Sequence, residues 1–173
     1  MVLHYFIKKE NNDKDISNEI YLSMINHIEN IVNNKNFKIK KDFNSIFELM
    51  TLLLFVVFFA YKKGKTNRNI NQKLLDLYII DLDQTLREQG IGDMSIGKYV
   101  KAYVKKIYYR ISKLEIIFKK NNLNEFKKYI IKININSNNS DKLSNFLFKN
   151  IKNLLNKAKS KELAQFVFEF TDN

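Results

Sequence analysis

The sequence predicts an all-α fold: a single compact domain of about six helices, with no sheet. Three observations carry the prediction. The 173 residues contain no proline and only four glycines, three of them within Gly90 to Gly97, so almost nothing interrupts a helix. Hydrophobic residues make up 45% of the chain, enough for one sizeable core at this length. Those residues recur at spacings of three and four, the period of an amphipathic helix. Residues 1–14 read as a flexible N-terminus and residues 15–173 as the helical domain.

The first helix is expected from Asp15 to about Asn34, with Ile20, Met24, Ile28 and Ile31 on one face and Ser17 as its N-cap. His27 borders that face and reads as a partly buried structural histidine. Phe43 to Lys62 holds the most apolar stretch, Leu49 to Tyr61 without a charge. A membrane span takes about 20 apolar residues and a run of about 10–14 points to a buried helix. A central core helix is therefore favoured over membrane insertion, with a client-facing surface as a third use. After a basic connection around Gly64, Asn71 to Gln89 forms an amphipathic helix with Leu75, Tyr78, Leu82 and Leu86 inward.

Gly90 suits the left-handed residue after a helix end, and Gly92 is a second permissive position in the same turn. Asp93 and Ser95 are N-cap types for a long helix, Ile96 to Lys120. Its inward stripe is Val100, Tyr103, Val104, Ile107, Ile111, Leu114 and Phe118. Lys98, Lys101, Lys105, Lys106, Arg110 and Lys113 fill the remainder. An acidic helix folding back on a basic one predicts exposed ion pairs between the two, each worth about 0.2–1 kcal/mol. A short helix at Asn124 to Lys132, a loop at Ile135 to Asp141 and a helix to about Lys157 follow, the last capped by Ser140 or Asp141. Leu143, Leu147, Ile151, Leu154 and Ala158 face inward on it. Phe166 to Phe170 alternates like a strand and reads as an extended tail.

The formal net charge is +12, which draws a protein to phosphate-rich partners such as RNA, ribosomes or anionic lipid. The abundance of isoleucine, asparagine and lysine is also what AT-rich coding produces. Only Arg68, Arg87 and Arg110 are arginines, too few for bidentate, sequence-specific nucleic-acid readout. With no cysteine and two histidines, disulfides and thiolate metal sites are excluded and other transition-metal sites disfavoured. No glycine-rich phosphate loop or nucleophile–base pair stands out. Asp81, Asp83 and Glu88 are the remaining acid candidates, with Asp76 and Asp83 seven apart on one face. A solvated or lysine-paired face accounts for them better than an acid/base pair. No catalysis and no cofactor are expected.

The informative segment runs from Asp81 to Lys98: Asp81, Asp83, Leu86, Arg87, Glu88, Gly90, Gly92 and Asp93, followed by a basic helix with Lys98, Tyr108 and Arg110. It resembles the signature of the ubiquinol–cytochrome c chaperone family. Gly97 stands where members often have proline, and Tyr109 where they often have glycine. Phe43 to Tyr61 is similar to the family's hydrophobic helix, and Leu143 to Phe170 to its C-terminal pattern. The resemblance implies a non-catalytic assembly chaperone that binds newly made cytochrome b, or a related membrane-protein client, during assembly of ubiquinol–cytochrome c reductase. It also implies work near the ribosome exit with a small partner protein; the basic surface itself suits a ribosome or an anionic membrane surface. The implied place is the cytoplasm, peripheral to the inner membrane. The residues expected to touch client or partner are Asp83, Arg87, Glu88, Gly90, Gly92, Asp93, Lys98, Lys101, Tyr108 and Arg110. The alternative from charge alone is a basic RNA- or ribosome-associated binding protein.

Overall fold

The structure, a computed structural model, describes residues 12–62 and 65–160. Gly64, Phe166 to Phe170 and residues 1–11 lie outside the described residues. Six helices make up the described part: α1 (Asn12–Asn33), α2 (Phe43–Ala60), α3 (Lys65–Glu88), α4 (Asp93–Lys119), α5 (Leu123–Ile133) and α6 (Ser140–Ser160). No strand occurs among the described residues.

The expected helices are all present, and their ends differ from expectation where hydrogen bonds decide. α1 starts at Asn12, so Ser17 lies inside the helix. Its hydroxyl is buried and donates to the carbonyl of Ile70 on α3, at 3.4 Å, instead of capping α1. α3 starts at Lys65, six residues earlier than the apolar stripe suggested. α6 is capped by Asn139, whose side chain accepts from the amide of Lys142 at 2.9 Å. The caps of α2 and α5 are likewise side-chain ones: Asp42 accepts from Ser45 and Asn122 from Glu125.

α2 is the centre of the molecule. From Phe47 to Val57 every side chain is buried, because α1, α4 and α6 all pack against it. Its 18 residues have mean hydropathy 2.1, long and apolar enough to cross a membrane, yet two-thirds of them are buried inside the protein. Most of the apolar surface is thus consumed by the fold, each large buried side chain contributing roughly 1.5–3 kcal/mol. α1 and α4 both pack on α2 and α3, through Met24 and Ile31 from one and Ile107 and Leu114 from the other, all 0–1% exposed.

α5 and α6 close the far end. The Phe55 and Phe118 rings lie 5.5 Å apart and tilted by 30°, and Phe118, Phe126 and Phe148 lie 5.1–5.4 Å apart in one aromatic cluster. The asparagine-rich loop between α5 and α6 is tied to the chain leading into α2. Lys40 donates its amide to Asn136, Asn44 its side-chain amide to the carbonyls of Ile133 and Asn134, and Ser137 its hydroxyl to Phe37. His27 is 1% exposed, its Nε2 3.1 Å from Asn150 Oδ1; burial lowers its pKa from the ordinary value. That is the structural role expected of it.

Candidate client-binding surface

The α3–α4 turn is built by its backbone. Gly90 takes φ +90°, a conformation that costs a residue with a Cβ. This lets Ile91 donate to the carbonyl of Leu86 and Gly90 to that of Arg87, satisfying the end of α3. Gly92 has φ −75° and is itself the N-cap of α4, with no side-chain cap bond. Asp93 and Ser95, expected as caps, sit inside the first turn, and the Ser95 hydroxyl donates to the Gly92 carbonyl.

Arg87 spans this turn. Its guanidinium donates to Asp83 on its own helix, at 2.5 Å, and to Asp93 at the start of α4. Those hydrogen bonds, to Asp83 first, raise the arginine's pKa further. Asp83, Arg87 and Asp93 therefore form one exposed cluster. Glu88 is exposed beside it and accepts from Gln84 at 3.3 Å. Asp81 does not join them: it is buried and accepts from the Tyr21 hydroxyl at 2.7 Å. Burial pushes its carboxyl up from the usual range. Asp76 accepts from Gln72 on the exposed side of α3.

The basic helix divides its cations between two faces. Lys98, Lys101 and Tyr108 are exposed. Lys106 and Arg110, expected among the outward residues, turn inward to Glu48 of α2. Glu48 is fully buried; Arg110 grips both its oxygens at 3.1 Å and Lys106 lies 3.0 Å away. Aromatic rings enclose the cluster, with Lys106 4.8 Å from the Phe47 ring centre and Arg110 5.8 Å from that of Tyr129. The tie between the basic helix and the core is thus to α2. Among the described residues, only Arg87–Asp93 pairs α3 with α4, so the exposed acidic–basic ladder expected between them is not formed. Glu48 was missed as a functional partner, although a lone carboxylate inside an apolar run signals that a buried cation must meet it.

Beside the turn lies an open groove of about 350 Å³. Ile25, Ile28 and Val32 of α1 form one wall, and Phe43, Ile46 and Met50 of α2 the other. Its rim is polar: Glu29, Lys41, Asp42, and Thr85 and Gln89 from the end of α3. Thr85 and Gln89 stand two residues to either side of Arg87, so they face the groove while the Asp83–Arg87 pair lies on the other side of α3. Among the described residues, no group of three or more histidine, aspartate or glutamate side chains is placed to hold a metal ion.

The comparisons place this all-helical body among the chaperones. The family model described as ubiquinol–cytochrome C chaperone matches residues 35–130, more than half of the sequence, and the chain belongs to that family. The match includes Glu48, the α3–α4 turn, Arg110 and the α2 and α3 sides of the groove. The crystal structure of the Cbp3 homolog from Brucella abortus has the same fold, with a TM-score of 0.76 over 91% of each chain at 17% identity. A search of curated protein sequences found no match.

Proposed function

We propose that this protein is a non-catalytic assembly chaperone that holds an apolar segment of newly made cytochrome b during assembly of ubiquinol–cytochrome c reductase, acting on the cytoplasmic side of the inner membrane. The observation that carries the reading is the groove between α1 and α2, rimmed by residues from the segment that bears the family signature. An apolar trough with a polar rim suits a hydrophobic helix laid lengthwise. In this reading Asp83, Arg87, Glu88 and Asp93, around the turn, meet the client's flanking residues beyond the end of the groove. Gly90 and Gly92 set the shape of that turn, Lys98, Lys101 and Tyr108 face a further partner, and Arg110 holds α4 in place through Glu48. A small partner protein would join at the α3–α4 turn, and no cofactor is required.

Deleting the gene should remove assembled reductase and deplete cytochrome b, and normal levels of both would overturn the assignment. A photo-crosslinking residue at Gln89 on the groove rim should capture newly made cytochrome b, whereas one at the exposed Lys152 of α6 should not. Equal capture at both positions would remove the groove as the client's seat. Arg87→Glu should weaken capture while leaving melting almost unchanged, because its partners are exposed.

A further inference from the structure

We propose that the outer face of α4 docks on an anionic lipid bilayer. The proposal goes beyond the client-holding role and rests on a different part of the surface. α4 is 27 residues long, and from Met94 to Lys113 it contains no acidic residue. At 100° per residue, Lys98, Lys101, Lys105, Tyr108, Tyr109 and Ile116 fall within an arc of about 100° and extend for about 27 Å. All six are exposed, Tyr108 and Tyr109 by half and Ile116 by 46%. Among the described residues, no carboxylate pairs with Lys98, Lys101 or Lys105, whereas Lys106 and Arg110 of the same stretch are committed to Glu48. The Lys113 ammonium lies 5.6 Å from the Tyr109 ring centre.

Charge complementarity selects an anionic partner, and side-chain type selects the bilayer. Tyrosines carry an apolar body and a polar tip and settle at head-group level, while lysine stems reach along an apolar surface with the ammonium in water. Lysines close to an anionic leaflet each strengthen binding about fivefold, so three act together by roughly a hundredfold. A single-stranded nucleic acid is instead tracked by a charged groove with stacking platforms. Here the face is the convex side of one helix, it includes the aliphatic Ile116, and the only arginine of α4 points inward. The client groove is formed by α1, α2 and α3, so docking through the outer face of α4 leaves it open.

The test is flotation with vesicles of phosphatidylcholine alone or containing about 30% phosphatidylglycerol, at about 0.15 M salt, where surface potential still acts over about 8 Å. The protein should float only with the anionic vesicles, and less as salt rises. Lys98→Glu/Lys101→Glu/Lys105→Glu should reduce binding at least about tenfold. The matched variant Lys142→Glu/Lys149→Glu/Lys152→Glu on α6, with the same change of net charge, should stay within about twofold. Circular dichroism establishes that each variant is folded. The chain has no tryptophan, so Tyr109→Trp gives a single reporter whose emission should shift to the blue on anionic vesicles. Equal losses from the two charge reversals, or no emission shift, would overturn the proposal. Binding to a structured RNA with no vesicle binding would overturn it in favour of nucleic acid. None of these readouts involves cytochrome b, so they stand or fall apart from the client-holding role.

Discussion

Replacing Arg110 by alanine removes the cation that grips both oxygens of Glu48. What remains is a carboxylate with no exposed surface, held only by Lys106, whose side chain is 34% exposed. Truncating one partner of a buried ion pair costs about 3–5 kcal/mol, because the other charge stays in a poorly solvating site. Lys106 offsets only a fraction of this, since a pair open to water contributes about 0.2–1 kcal/mol. In a domain of this size 1 kcal/mol moves the melting temperature by about 2–4 °C. Arg110→Ala should therefore melt roughly 6–20 °C lower than the parent. Lys106→Ala should lose no more than about 1 kcal/mol.

The assay is urea unfolding followed by far-UV circular dichroism, with stability taken from linear extrapolation. The double variant Glu48→Leu/Arg110→Met is the complementary test. Replacing both partners by apolar residues removes the uncompensated charge, so it should be far closer to the parent than Arg110→Ala. A loss below about 1 kcal/mol for Arg110→Ala, or a double variant as unstable as the single, would refute the view that this cluster fastens α4 to α2. It would also return Arg110 to the set of residues free to touch a partner.

The three glycines around the turn should respond differently. Gly90→Ala should destabilise by about 1 kcal/mol, since φ is +90° although the added Cβ meets nothing within 4 Å. Gly92→Ala, with an ordinary φ of −75° and open space, should cost only a few tenths of a kcal/mol, and Gly97→Ala inside α4 should stabilise by up to about 1 kcal/mol; chemical denaturation measures all three. Tyr129→Phe should leave stability unchanged or raise it by up to about 1 kcal/mol, because the buried hydroxyl makes no hydrogen bond. His27 should make stability fall in acid. Its pKa is below 6.5 in the folded protein because of burial, so the unfolded chain binds the proton first, and stability is full above pH 6.5 and declines from there down to the folded value. Melting temperatures across that window should flatten in His27→Gln.

The helices were legible because their information is local: Leu75, Tyr78, Leu82 and Leu86 mark the inner face of α3 by spacing alone, and all four are buried. The left-handed Gly90 was legible for the same reason, since a turn between two periodic segments leaves few conformations open. Ser17 misled because its type fits a cap, while the burial of α1 against α3 gave its hydroxyl a better acceptor on Ile70. The cap of α4 misled similarly, because Gly92 already closes the turn in extended geometry and Asp93 is drawn to Arg87. The Glu48 cluster shows where sequence reasoning ends. Position 48 announces a need for positive charge, but 30 lysines and arginines satisfy that description equally. Only the packing of α4 across α2 selects the two, Lys106 and Arg110, that lie one turn apart on its inner face. The same packing decides which lysines are left on the outside. An arginine of a family signature thus becomes a core fastener, and the lysines and tyrosines of the opposite face become the ones free to meet a partner.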